Sequence, residues 1–205
     1  MTWATLCFHR QRWITHVGAM AGSELNSDLT WKWVTMVNVS LDDLVCIVEI
    51  PKGSRNKYEY DARYGGIKFD RFLSASVVYP TDYGYFPDTL GPDGDELDAL
   101  VCVTEPTFPG CIVPVKPIGL FKMVDEKGSD DTVLCVPFSD PNWNGLEEID
   151  DLPDQLRQEI THFFSIYKDL DPDRDSEARG WAGREQALAV IEEAQERFRS
   201  GADAG

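Results

Sequence analysis

From residue 45 onward the chain places its apolar positions in short runs punctuated by turn residues, which is the mark of a strand-rich domain. Val45-Cys46-Ile47-Val48-Glu49-Ile50 is β-branched and stops at Pro51. Lys57-Tyr58-Glu59-Tyr60-Asp61 alternates strictly, with rings on one face and charges on the other. Further strands are predicted over 67–69, 76–79, 99–104, 112–115, 119–123 and 132–136. They are separated by Pro51-Lys52-Gly53, Gly65-Gly66, Gly91-Pro92, Pro109-Gly110 and Lys127-Gly128. Many short strands at close spacing predict a small barrel or sandwich, closed so that no edge is left unpaired.

The period changes late in the chain. Over 151–167, Leu152, Leu156, Ile160, Phe163 and Tyr167 fall on one helical stripe. Asp151 is placed to cap this helix, Pro153 suits its first turn and Pro172 bars its extension. A second helix over 184–199 carries Ala187, Val190, Ile191, Ala194 and Phe198, with Gly201 as its expected stop. The fold class is therefore α+β, one domain with its barrel first and two C-terminal helices packed outside.

Residues 1–35 follow a different pattern. They hold Trp3, Trp13, Trp31 and Trp33 and show no steady period. They also lack the ordered basic and apolar regions of a secretory signal. This N-terminal extension is expected to be a disordered tail or a stretch upstream of the true start, with Met36 opening a single domain over 36–205.

Charge narrows the function. In 205 residues, 19 Lys and Arg face 36 Asp and Glu, for a formal net charge of −17. Such a chain repels nucleic-acid backbones and anionic membranes and attracts divalent cations. No apolar run approaches the roughly 20 residues of a membrane span, and a cytoplasmic location is expected. The cysteines (Cys7, Cys46, Cys102, Cys111 and Cys135) form no C-x-x-C pair. Cys46, Cys102 and Cys135 sit in apolar runs and are expected to be free core thiols.

The acidic residues are concentrated in particular places. Asp93-Gly94-Asp95-Glu96-Leu97-Asp98 follows a turn and enters an apolar strand. Carboxylates this close repel by several kcal/mol at an intermediate dielectric unless a cation joins them. An EF-hand loop counted from Asp93 fails, because its sixth position is Asp98 and its twelfth Thr104. A second acidic loop runs Asp125-Glu126-Lys127-Gly128-Ser129-Asp130-Asp131. Each loop alone reads equally as solvated surface. Taken singly, Lys57 with Glu59 reads as a surface pair, Tyr83 as core, and Lys168 as a cation favoured at a helix C-terminus.

Taken together, in order, these blocks resemble the soluble family I inorganic pyrophosphatases over residues 39–181. The matching blocks are Val48-Glu49-Ile50-Pro51, Lys57-Tyr58-Glu59, Asp70-Arg71-Phe72, Tyr79-Pro80 with Tyr83-Gly84, Asp93-Gly94-Asp95 with Asp98, Asp125-Glu126, and His162-Phe163-Phe164 with Tyr167-Lys168-Asp169-Leu170. The loops look most like those of actinobacterial members. The resemblance implies a small closed OB-like β-barrel and hydrolysis of pyrophosphate to two orthophosphates by in-line attack of a water bridging two Mg2+ ions. It further implies that Asp93, Asp98 and Asp130 hold the metals beside that water. Asp125 and Asp130 would hold a metal on the pyrophosphate oxygens, and Glu49 would help hold another. Lys57, Arg71, Tyr83, Tyr167 and Lys168 would grip the phosphates. Asp95 would accept the proton of the water, with Asp130 as the alternative base. A homo-oligomer is implied, commonly a hexamer, with His162 and the first helix near its contacts.

Three positions depart from the family pattern: Thr132 stands where a lysine is usual, Arg174 replaces another lysine, and Glu96 replaces a common proline. These departures keep open a second reading, a catalytically weak relative that binds divalent cations or phosphate on the same barrel.

Overall fold

The structure is a computed structural model that describes residues 43–126, 128–172 and 174–202. The N-terminal extension 1–35, Met36, Cys7 and Lys127 lie outside the described residues.

Among the described residues, nine strands and two α-helices follow one another: β1 (Val45–Ile50), β2 (Asn56–Asp61), β3 (Gly66–Phe72), β4 (Asp82–Tyr85), β5 (Asp98–Val101), β6 (Ile112–Asp125), β7 (Gly128–Ser129), β8 (Thr132–Pro137), α1 (Asp154–Ile166), β9 (Ser176–Gly183) and α2 (Arg184–Ala202). The sheet runs β1-β4-β5-β8-β6, and β6 pairs back onto β1, so the strands close into a ring. This is the closed OB-like barrel read from the sequence. Among the described residues only β5 and β8 pair in parallel. β2 and β3 form a separate two-stranded hairpin, and β9 lies along β6.

The apolar runs of β5 and β8 are continuous because both of their faces are buried. Ala99, Val101, Val133 and Cys135 feed one core together with Ala187, Ile191 and Ala194 of α2. Leu100, Cys102, Leu134 and Val136 feed a second core with Ile160, Phe163 and Phe164 of α1. Cys46, Cys102 and Cys135 are buried free thiols, as expected from their setting.

Several expected elements differ in detail. Residues 112–115 and 119–123 are one strand, because Pro117 sits at a register shift where the missing N–H costs little. Residues 76–79 form no strand. Tyr79 instead exchanges backbone hydrogen bonds with Gly53 and Ser54 of the loop after β1. Asp151 caps a short 3-10 turn at Ile149–Asp151, accepting the N–H groups of Glu147 and Glu148, while α1 starts at Asp154 without a side-chain cap. α2 runs through Gly201 instead of stopping at it, and Phe198 is 38% exposed. Strands β4 and β9 escape a reading of apolar patterns. β4 is a four-residue stretch next to turn signals, and β9 alternates Ser, Glu, Ala and Arg with few apolar residues.

The tightest contact in the ring is at Gly84, which faces Val48 across the β1–β4 pair. A Cβ there would lie 2.0 Å from the carbonyl oxygen of Ile47, so the two strands approach as only glycine permits. Gly84→Ala is expected to lower stability by about 2 kcal/mol or more, measured as a shift in denaturant midpoint. A variant with the wild-type midpoint would show that β1 and β4 are not held at this separation.

Candidate active site

The ring carries its acidic residues to one side, into a cavity of about 540 Å³. Every residue given a role by the family resemblance lines it: Glu49, Lys57, Arg71, Tyr83, Asp93, Asp95, Asp98, Asp125, Asp130, Tyr167 and Lys168. Glu49 arrives on β1, Tyr83 on β4 and Asp98 at the start of β5. Asp125 ends β6, and Asp130 follows β7. Lys57 and Arg71 are cross-strand partners in the β2–β3 hairpin, so one face of that hairpin presents both cations.

The loop bearing Asp93 and Asp95 is closed by its own backbone. Gly91 donates to the Asp95 carbonyl at 2.7 Å, and the Asp95 N–H donates to Asp93 Oδ1 at 3.2 Å. Gly94 between them has φ of 93°, a conformation in which a side chain is strained. Beneath the cavity lies a floor of aromatic rings. Tyr79 packs on Phe163 with centroids 4.7 Å apart, Phe163 stacks on Tyr167 at 5.2 Å, and Phe121 packs on Trp181 at 4.9 Å. This floor fixes Tyr83 and Tyr167 while leaving their hydroxyl edges toward the polar space.

Charge in the cavity is poorly compensated. Asp98 is pushed well above the usual carboxylate range by burial and by the charge of Asp130, although the Tyr83 hydroxyl donates to its Oδ2 and partly offsets this. Asp130 is raised to about 6 by burial and by Asp125, against the opposing pull of Lys168. Glu49 is raised to about 7 by burial, even with the Tyr60 N–H donating to its Oε1 at 2.6 Å. Lys168 is 5% exposed and reaches both Asp125 Oδ2 and Glu126 Oε2 at 2.9 Å. Lys57 Nζ lies 2.7 Å from Glu59 Oε1, so the expected surface pair forms at the cavity wall.

Among the described residues, no group of three or more His, Cys, Asp or Glu is drawn together tightly enough to hold a metal ion as it stands. The donor set is nonetheless all oxygen, which suits hard divalent cations. Raised carboxyl pKa values also mark negative charge that a cation would relieve.

Sequence reading assigned no role to several lining residues. Glu126 supplies the second partner of Lys168, and Tyr79 and Glu59 complete the walls. Glu126 and Glu59 stand beside recognised motif residues, and that adjacency was the available signal. Of the departures, Glu96 and Arg174 line the cavity, whereas Thr132 is 1% exposed and faces Phe121 across the β6–β8 pair.

A closed barrel with converging carboxylates on one wall and fixed cations on the other belongs to the class of metal-assisted phosphoryl hydrolases. The family model described as inorganic pyrophosphatase matches residues 46–199. The inorganic pyrophosphatase of Methanosarcina mazei is 53% identical over 152 residues, covering 74% of this chain and 89% of that protein. That of Streptomyces coelicolor, an actinobacterium, is 53% identical over 152 residues, covering 74% and 93%. The solved structure of the Helicobacter pylori inorganic pyrophosphatase superposes with a TM-score of 0.77 at 36% identity, covering 81% of this chain and 99% of that one. This chain belongs to the inorganic pyrophosphatase family.

A carboxyl group whose pKa rises on folding holds more protons in the native than in the unfolded chain. Its contribution to stability therefore falls as pH climbs from the unfolded value, about 4, to the folded value, about 7 for Glu49. The metal-free protein is expected to lose roughly 4 °C or more of Tm between pH 5 and pH 8 through Glu49, Asp98 and Asp130. Asp130→Asn is expected to flatten that slope. Differential scanning calorimetry in a chelator checks this, and a Tm that rises across the window contradicts it.

Proposed function

We propose that the chain hydrolyses inorganic pyrophosphate to two orthophosphates with Mg2+ held by Glu49, Asp93, Asp98, Asp125 and Asp130. The observation that carries this reading is the convergence of these carboxylates from β1, β5, β6 and two loops on one cavity that Lys57 and Arg71 also line. Pyrophosphate is an anion, so an acidic cavity receives it only after cations reverse the local sign. Bound Mg2+ would supply that reversal and lower the pKa of coordinated water from about 15.7 toward neutrality.

The residues of the chain do the rest. Asp95 accepts the proton of the attacking water, with Asp130 as the alternative base. The water oxygen bonds to one phosphorus, the bridging P–O bond breaks in line, and the leaving phosphate carries away the electron pair. Lys57, Arg71, Tyr83, Tyr167 and Lys168 hold the phosphate oxygens and stabilise the charge on the leaving group. Arg71 suits this role because its side chain lines the cavity, stays 18% exposed and carries a planar fork that matches phosphate oxygens. Arg174 at the rim adds a cation in place of the family's lysine, with a planar fork in place of a point charge.

No helix among the described residues is long and apolar enough to cross a membrane. Together with the net charge of −17, this supports a cytoplasmic enzyme that binds neither membrane nor nucleic acid. We further propose a homohexamer, with exposed His162 of α1 near the contacts. Light scattering is expected to give six times the chain mass of 23.1 kDa, and a monomeric mass would reject the assembly.

Phosphate release from pyrophosphate is expected to require Mg2+ and to stop in chelator. Release too slow to measure would favour the cation-binding relative. A chain begun at Met36 is expected to turn over at the same rate, since the family match starts at residue 46. Asp95→Asn is expected to cost roughly 10²–10⁴ in kcat and Asp98→Asn at least about 100-fold. Near-normal turnover in Asp98→Asn would overturn the metal assignment.

A further inference from the structure

Arg71 is held by two carboxylates from distant parts of the chain. Its Nη1 donates to Asp70 Oδ2 at 2.6 Å, and its Nε lies 3.4 Å from Asp171 Oδ2. Asp171 belongs to the turn after α1, where its N–H donates to the Lys168 carbonyl oxygen at 2.8 Å. Ser74, just past β3, donates its hydroxyl to Asp171 Oδ1 at 2.6 Å. The turn that carries Lys168 is thereby tied to the strand end that carries Arg71.

The guanidinium is thus restrained on two edges. Its Nη2 and Nε are buried without a hydrogen-bond acceptor, and Asp171 Oδ2 is buried without a donor. At 3.4 Å the Nε–Oδ2 contact is an ion pair more than a good hydrogen bond, so it orients the fork without engaging Nη2. Removing Asp171 would leave the guanidinium free to turn fully toward Asp70. Lys168, whose turn Asp171 closes, would lose its tether to the hairpin.

We propose that Asp171, held in place by Ser74, is a positioning residue that sets the rotation of Arg71 so that its guanidinium is presented to the cavity, and that keeps Arg71 and Lys168 in register there. This rests on the pyrophosphatase reading above. Asp171 acts only through Arg71 and Lys168 and touches no substrate itself.

The test is a double-mutant cycle read by binding. In Mg2+, calorimetry measures the affinity for methylenediphosphonate, a pyrophosphate analogue whose bridging carbon resists hydrolysis. The proteins compared are wild type, Asp171→Asn, Arg71→Met and the double variant. Asp171→Asn is expected to weaken binding roughly tenfold and to raise KM for pyrophosphate by a similar factor, with a smaller change in kcat. The double variant is expected to bind little worse than Arg71→Met alone, because without the guanidinium most of what Asp171 orients is gone. Asp171→Glu, which keeps the charge, is expected to recover part of the loss. Ser74→Ala, which leaves both charges in place, is expected to give a smaller loss of the same kind and serves if Asp171→Asn fails to fold. Unchanged affinity in Asp171→Asn or Ser74→Ala, or losses that multiply in the double variant, overturn the proposal. Wild type that binds the analogue but releases no phosphate would sink the hydrolase reading, whereas an active wild type without coupling sinks only the role of Asp171.

Discussion

The physical constraint on which this structure turns is the crowding of negative charge around Asp98 and Asp130. Partial burial and the charge of Asp130 raise the pKa of Asp98, and partial burial and the charge of Asp125 raise that of Asp130. Nothing local to either loop would bring them together, since bare carboxylates separate when free to do so. They are held by the hydrogen-bonded ring that fixes β5, β6 and β8 side by side. The stability of the two apolar cores is what keeps the repulsion in place, and relief of that repulsion is what makes the site receptive to cations.

The positive side is arranged differently. Lys168 is nearly fully buried between Asp125 and Glu126, where it offsets part of the acidic charge before any ligand arrives. Lys57 and Arg71 stand on a hairpin outside the ring, each with a carboxylate neighbour. The cavity therefore has a rigid acidic wall built on the barrel and a cationic wall built on a two-stranded appendage. A hairpin of two strands is marginal alone, so its placement depends on side-chain ties such as the bond from Ser74 to Asp171.

Much of this was legible in the chain. The run at 45–50 became a strand with the same bounds, and that at 132–136 one that extends a single residue further, because β-branched and apolar residues bounded by turn residues leave little choice. Residues 112–125 did not, because Pro117 reads as an interruption until a register shift is seen to absorb it. β9 pairs with β6 through seven of its eight residues, a mixed sequence of small, polar and apolar positions, so its pairing partner and not its own pattern decides its structure. The site residues came from motif order, which says nothing of distance. That Tyr83 donates to Asp98 follows from the register of β4 on β5. That Asp171 meets Arg71 follows from how the turn after α1 lies against the hairpin. Neither relation is local in sequence, and no periodicity encodes it.

The parallel pairing of β5 with β8 has a kinetic corollary. The two strands are separated by the long excursion through β6 and β7, so their union is a late, high-entropy closure in the search for the native state. Asp98 opens β5 and Asp130 lies two residues ahead of β8, so a chain still short of that closure has not brought these two carboxylates together. Divalent ions held there would act as a latch on the finished molecule, slowing its opening and doing little to hasten its assembly.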